Sequence, residues 1–217
     1  MNIFQFIFSS IGRKVVMSLT GLFFCFFLLI HLYGNLFLYC NDGGITFNEW
    51  SHTLTRNLLI RIVEIVLFIC ILIHVVDALY ITWKNYLARS KKYEICGVSQ
   101  TSSFFSRNMG LMGTVIFFFV VVHMNTFFVP YRITGEVENL AMVPKEAFAN
   151  GWYSLFYIIA ISLLAFHLHH GFQSAFHTLG LNTKKYWTVL KVAGYVLSYG
   201  IIWLGYVSFP VLFYFVV

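Results

Sequence analysis

The sequence predicts an all-α membrane protein of five transmembrane helices, and three observations carry that prediction. Hydrophobic residues make up 59% of the 217 positions and charged residues only 10%, a balance that water-soluble domains of this length do not show. Five apolar stretches run from Val15 to Cys40, Leu58 to Trp83, Met109 to Val129, Trp152 to Phe176 and Val189 to Val217. Each is long enough to cross a hydrocarbon layer of about 30 Å at about 1.5 Å per residue. The connections between them are short, which predicts one domain over residues 1–217.

The segment Met1 to Ser10 is apolar but reaches Arg13 and Lys14 without a small-residue cleavage site, so it reads as an interfacial lead-in to the first helix, not a removable signal. Basic residues then set the orientation, because they are retained on the cytoplasmic side. Ten of the fourteen fall in the amino-terminal flank (Arg13, Lys14), the second loop (Lys84, Arg89, Lys91, Lys92, Arg107) and the fourth loop (Lys184, Lys185, Lys191). Arg56, Arg61, Arg132 and Lys145 lie on the other side, with Glu136, Glu138 and Glu146 in the third connection. The amino terminus is therefore expected inside and the carboxyl terminus outside. The net charge of +6 is accounted for by topology and a cytoplasmic partner, and nucleic-acid binding is not expected.

The first four helices each carry an intramembrane histidine, His31, His74, His123 and His167, separated by 43, 49 and 44 residues. An ionisable side chain in hydrocarbon is costly and is rarely kept without a partner or a role. Alternating helix direction converts position into depth. His31 and His123 fall roughly 22 to 24 Å above the cytoplasmic edge and His74 and His167 roughly 15 to 17 Å above it, at 1.5 Å per residue. Two pairs at two depths fit two stacked haems, each clamped between helices, so that the first four helices form a haem-binding bundle. Iron with both axial positions filled has no open site for oxygen, and electron transfer is then its role.

No C-x-x-C-H attachment pattern occurs, so such haems would be b-type. Cys25, Cys40, Cys70 and Cys96 show neither disulfide nor zinc spacing. On the fourth helix His170 shares the face of His167, whereas His169 is turned away. His177 reads as interfacial. A single intramembrane histidine is otherwise a packing or hydrogen-bonding residue. A histidine-lined metal or proton transporter also remains open, although only Glu64 and Asp77 supply carboxylates within the helices.

The run Ser9-Ser10-Ile11-Gly12-Arg13-Lys14, followed by Leu19-Thr20-Gly21-Leu22 and His31-Leu32-Tyr33-Gly34-Asn35, resembles the opening of the cytochrome b subunit of bacterial succinate dehydrogenases, in the five-helix, di-haem class shared with some fumarate reductases. The resemblance continues through Phe47-Asn48-Glu49-Trp50, the segment around His74, and Phe166-His167-Leu168-His169-His170-Gly171-Phe172-Gln173-Ser174. It implies a multi-pass anchor in the bacterial cytoplasmic membrane that docks a flavoprotein subunit and an iron-sulfur subunit on its cytoplasmic face. Electrons would pass through two haems to or from a membrane quinone, usually menaquinone, with no succinate or fumarate chemistry in this chain itself. It also implies axial ligation by His31, His74, His123 and His167 and a fifth helix without a ligand. Some relatives of that class carry a relay glutamate two residues before the fourth ligand, where this chain has Ala165.

A quinone needs an apolar slot with one or two polar groups for its oxygens. Glu49 and His52 in the first connection are the expected pair, with an ordinary solvated loop as the plain alternative and Ser18, Lys14 or Lys84 as a cytoplasmic one. No catalytic residue is assigned. The cytochrome b of a hydrogenase or formate dehydrogenase is a further alternative.

Overall fold

The computed structural model describes residues 2–87 and 104–216, and among these every regular element is helical. Asn2 caps α1 (Ile3–Phe8), and Ser9 caps α2 (Ser10–Leu36), its Oγ accepting from Gly12 N at 3.0 Å. A hydroxyl or amide oxygen placed there satisfies amides that have no partner within the helix. After a short 3₁₀ turn at Phe37–Tyr39 come α3 (Ile45–Arg56) and α4 (Leu58–Leu87). Asn57 separates the two, and its Oδ1 accepts from Leu59 N at 2.9 Å.

The third span is α5 (Phe104–His123), continued by a π-helical segment, Met124–Ile133. Pro130 lies inside that segment. It has no N–H to donate and its ring crowds the carbonyl four residues back, and the wider π turn accommodates it. The short α6 (Met142–Ala149) leads through the Asn150 cap into α7 (Gly151–Thr178). The fifth span joins α8 (Lys184–Tyr195), a π-helical stretch at Val196–Trp203, and α9 (Leu204–Val216).

Among the described residues, five helices are thus long and apolar enough to cross a membrane: Ser10–Tyr39, Leu58–Leu87, Ser106–Ile133, Gly151–Thr178 and Lys184–Phe215. They match the five stretches expected from the sequence and overrun most of them, so their ends reach the headgroup layers. The bundle is not symmetric. α7 is its centre, burying Ser154, Tyr157, Ala160, Ile161, Ala165, Leu168 and Ala175, whereas α4 buries only Asp77. One apolar cluster, around Leu32, Phe47, Phe119, Phe148, Tyr157, Phe209 and Phe213, fills the end nearest α3 and α6. Lipid is as apolar as leucine, so close approach must come from small residues at contacts. A Cβ on Gly205 would stand 2.6 Å from Leu32 Cδ2, and glycine there lets the fifth span lie against the first.

Cys25 is buried, Cys40 exposed and Cys70 half-buried, all unbridged, while Cys96 lies outside the described residues.

Candidate functional site

Each of four spans contributes one histidine, and the fold brings them together in twos. His31 on α2 and His123 at the end of α5 have ring centroids 5.8 Å apart with ring planes at 88°. His74 on α4 and His167 on α7 stand 6.4 Å apart at 68°. The former pair lies toward α3 and α6 and is called upper here; the latter lies toward α1 and is called lower.

Two helices measure the distance between the levels. A Cβ on Gly21 of α2 would lie 3.7 Å from His74 Cε1, and one on Gly113 of α5 would lie 3.5 Å from His167 Cε1. Each glycine precedes the upper histidine of its own helix by ten residues, or about 15 Å. The sequence arithmetic, with helix ends taken as level, put the gap at about 7 Å. The ends are not level: Arg13 on α2 pairs with Asp77 on α4, so the last turns of α4, down to Leu87, hang below the start of α2.

The separations within each pair would let its two imidazoles hold one metal ion between them, given a metal–nitrogen bond of about 2 Å and about 1 Å more to each ring centre. Gly21 and Gly113 leave ring edges of the lower pair uncrowded, since any side chain longer than a methyl would press on His74 or His167. Among the described residues, no hydrogen bond reaches Nε2 of any of the four rings.

Two of the four rings are oriented through Nδ1. Thr20 Oγ1 lies 2.9 Å from His74 Nδ1 and also 2.9 Å from the Val16 carbonyl. The hydroxyl proton goes to the carbonyl, so the oxygen is left to accept from His74 Nδ1–H, and Nε2 keeps its lone pair, the tautomer a metal ligand requires. At the upper level Tyr157 Oη is 3.3 Å from His123 Nδ1 and 3.1 Å from Tyr153 Oη. Tyr153 donates to Thr126 Oγ1 at 2.9 Å, and Thr126 donates to the Val122 carbonyl at 3.0 Å. With those protons committed, Tyr157 donates to Tyr153 and accepts from His123. His167 Nδ1 is buried without a partner.

The surroundings of the two levels differ. Phe27 stacks on His31, with Tyr206 from the fifth span also against it, and Phe119 and Phe127 flank His123. Around the lower pair, Phe24 packs on His74. The Arg13–Asp77 ion pair lies one turn beyond His74, with the guanidinium 4.1 Å over the Tyr80 ring. The fifth span thus brings no histidine to the pairs and supplies Tyr206.

Thr20, Tyr157, Tyr206 and the Arg13–Asp77 pair were not singled out as site groups by sequence reasoning. Asp77 carried a signal, being a carboxylate one turn after an intramembrane histidine; Arg13 was read only as a topology charge. The other candidates separate. His169 points to the fifth span, its ring 5.2 Å from Tyr199. His170 is half-buried, and His177 packs on Trp187 at 4.1 Å. Glu49 and His52 are both exposed on α3 and line a cavity of about 410 Å³ with Thr53 and Arg56. His52 Nδ1 faces Tyr131 Oη at 3.3 Å. Lys84, Lys184, Lys185 and Lys191 are exposed at the lower end, whereas Arg89, Lys91 and Lys92 lie outside the described residues.

No protein-family model, curated protein or solved structure matches this chain.

Proposed function

We propose that this chain is a di-haem cytochrome b, the membrane-anchor subunit of a succinate:quinone oxidoreductase, with His31 and His123 holding the upper haem and His74 and His167 the lower. The observation that carries the reading is the pairing itself: four histidines from four helices meet in twos, at two levels about 15 Å apart, with separations at which each pair would hold one metal between its rings. Bound haem supplies reversible one-electron exchange at iron. The protein's part is to hold each imidazole neutral and oriented, through Thr20 at the lower level and the Tyr157–Tyr153–Thr126 chain at the upper. It also keeps water away from the upper level with a wall of aromatic rings.

In this reading Glu49 and His52 hydrogen-bond the oxygens of a quinone, menaquinone in the class the sequence resembles, within the α3 cavity. The flavoprotein and iron-sulfur subunits dock at the lower, lysine-bearing end, which is the cytoplasmic face of a bacterial inner membrane. The choice of this complex over a hydrogenase or formate dehydrogenase rests on the sequence resemblance.

The test is a reduced-minus-oxidised spectrum of the purified chain with haem quantified by pyridine haemochromogen. Two b-type haems per chain are expected, and a colourless protein that carries ion flux would replace this reading with a transporter. Orientation is checked in intact cells: a cysteine at Glu138 should react with an impermeant reagent and one at Lys185 should not.

A further inference from the structure

His169 belongs to neither histidine pair, yet it is an imidazole within the membrane span. It lies on a stripe of α7, with Ser162, Ala165 and Phe166, at the i, i+3, i+4, i+7 spacing of a single helix face. Facing that stripe is another from the fifth span, Tyr195, Tyr199 and Trp203, at intervals of four. The π-helical winding of Val196–Trp203 keeps such intervals on one side, and π segments are frequent at functional sites. Between the two stripes is a cavity of about 310 Å³, lined by Ser162, Ala165, Phe166, Tyr195, Tyr199 and Trp203.

The polar groups of this cleft sit at its two ends. At one end Trp203 Nε1 donates to Ser162 Oγ at 2.9 Å and Ser162 in turn donates to the Ile158 carbonyl at 2.7 Å, so this end offers an acceptor, Ser162 Oγ, and no free donor. At the other are the Tyr195 and Tyr199 rings, and His169, which is not itself part of the lining, lies against them with ring centroids 6.1 and 5.2 Å away. One ring nitrogen of His169 is engaged by Gln173 at 3.1 Å, and the other, Nδ1, is buried with no partner. Neither tyrosine hydroxyl makes a hydrogen bond to the described residues. Ser162 and His169 are seven residues apart, about 10 Å along the helix, with aromatic walls between. A flat ring with an oxygen at each edge, one accepting and one carrying a hydroxyl in its reduced form, matches this layout; an acyl chain would leave the Tyr195 and Tyr199 hydroxyls unused.

We infer that the cleft between α7 and the fifth span is a lateral quinone-binding site, separate from the α3 cavity, with one ring oxygen accepting at the Tyr195–Tyr199 end, backed by His169, and the other beside Ser162 Oγ, to which it donates as the hydroxyl of the reduced form. The ligand class rests on the redox function proposed above. The volume is at the low end of ligand pockets, which run from about 300 to 1,000 Å³. It takes a head group and leaves the isoprenoid tail in lipid, past Tyr195, which is exposed. Ala165 contributes to this fit: its methyl keeps the floor of the cleft open where a glutamate would fill it.

The test is photolabelling of the full chain in nanodiscs with an azido-naphthoquinone, followed by peptide mapping. Label is expected on the segments 162–169 and 195–203, suppressed by excess unlabelled menaquinone. His169→Ala should cut it at least fivefold and Glu49→Gln should leave it unchanged. The suppression arm uses the wild-type chain and does not depend on how a variant folds. Label confined to the α3 segment in a protein that carries haem overturns this site and spares the functional reading. Label on the cleft that resists excess quinone, or that phospholipid displaces equally well, also overturns it. Absence of both haem and label would remove the functional reading together with this one.

Discussion

The two histidine pairs are built from the same residue type, each on two helices of its own, yet they are held in opposite ways. The upper pair is wrapped in rings, Phe27, Tyr206, Phe119 and Phe127, and its hydrogen bonding runs through hydroxyls that end on a backbone carbonyl. The lower pair has a short threonine contact and a full ion pair one turn away. A site enclosed by aromatic side chains is set by packing. A site beside Arg13 and Asp77 is set partly by charge, and charge acts strongly where the dielectric is low.

The largest expected effects come from removing a ligand. In the proposed cytochrome, His31→Ala and His123→Ala should each abolish the same low-spin signal in electron paramagnetic resonance, and His74→Ala and His167→Ala the other one. Haem content per chain should fall from two toward one in each variant. If His31→Ala and His74→Ala eliminated the same signal, the correspondence between ring pairs and haems would be broken. His169→Ala is expected to leave both signals in place.

Next comes the charge difference. Arg13→Gln leaves Asp77 unpaired close to His74, and breaking a largely buried ion pair costs about 3 kcal/mol. The added negative charge should lower the midpoint potential of the lower haem, as the iron's potential follows local charge and burial, while the upper potential holds still. Asp77→Asn should act on the same level with the opposite sign. Equal movement of both steps in a potentiometric titration would mean that the charge is not local to the lower pair.

A smaller change tests the hydrogen-bonding difference. Thr20→Val should act on the lower level and Tyr157→Phe on the upper. Each removes an acceptor for an imidazole N–H, which makes the ring a weaker donor, weakens cofactor binding by about tenfold and moves that level's potential up. Haem retention during dilution into detergent would read the loss of affinity.

How much of this was legible beforehand follows from the range over which each signal acts. Five spans were visible because hydrophobicity is a property of whole segments, and the pairing of His31 with His123 and His74 with His167 was visible because helix direction alternates. The 15 Å spacing was not, since it depends on where α4 ends relative to α2, and that is set by a side-chain contact between Arg13 and Asp77. Thr20 and Tyr157 were hidden for the same reason: each lies on a different helix from the histidine it orients, and no spacing within one helix points across to another. The lateral cleft was half visible. The position of His169 away from the His167 face could be read from periodicity, but the stripe it meets depends on a π-helical stretch for which periodicity gives no warning.

The smallest expected effect sharpens the upper level alone. α3 lies over that level, with Trp50 packed on Tyr33 and Phe37 of the first span, and its start is fastened by Asp42, which lies beyond the membrane segment. The Asp42 carboxylate accepts from the Thr46 hydroxyl, from Thr46 N at 2.8 Å and from Gly44 N at 2.9 Å. These bonds, the Thr46 hydroxyl foremost, hold the carboxyl below its ordinary value. A carboxyl depressed in the folded state contributes stability that is complete above its unfolded pKa of about 3.9. That contribution is lost as pH falls through the lower folded value. Amide exchange at Gly44 and Thr46 should therefore stay slow down to about pH 4 and quicken only under stronger acid. Thr46→Val removes the leading bond, moves the Asp42 pKa upward and brings the loss of protection to a higher pH. Because α3 touches only the upper level, acid in this variant should disturb the upper haem signal before the lower, and a simultaneous change at both levels would show that α3 does not act as a roof for one pair.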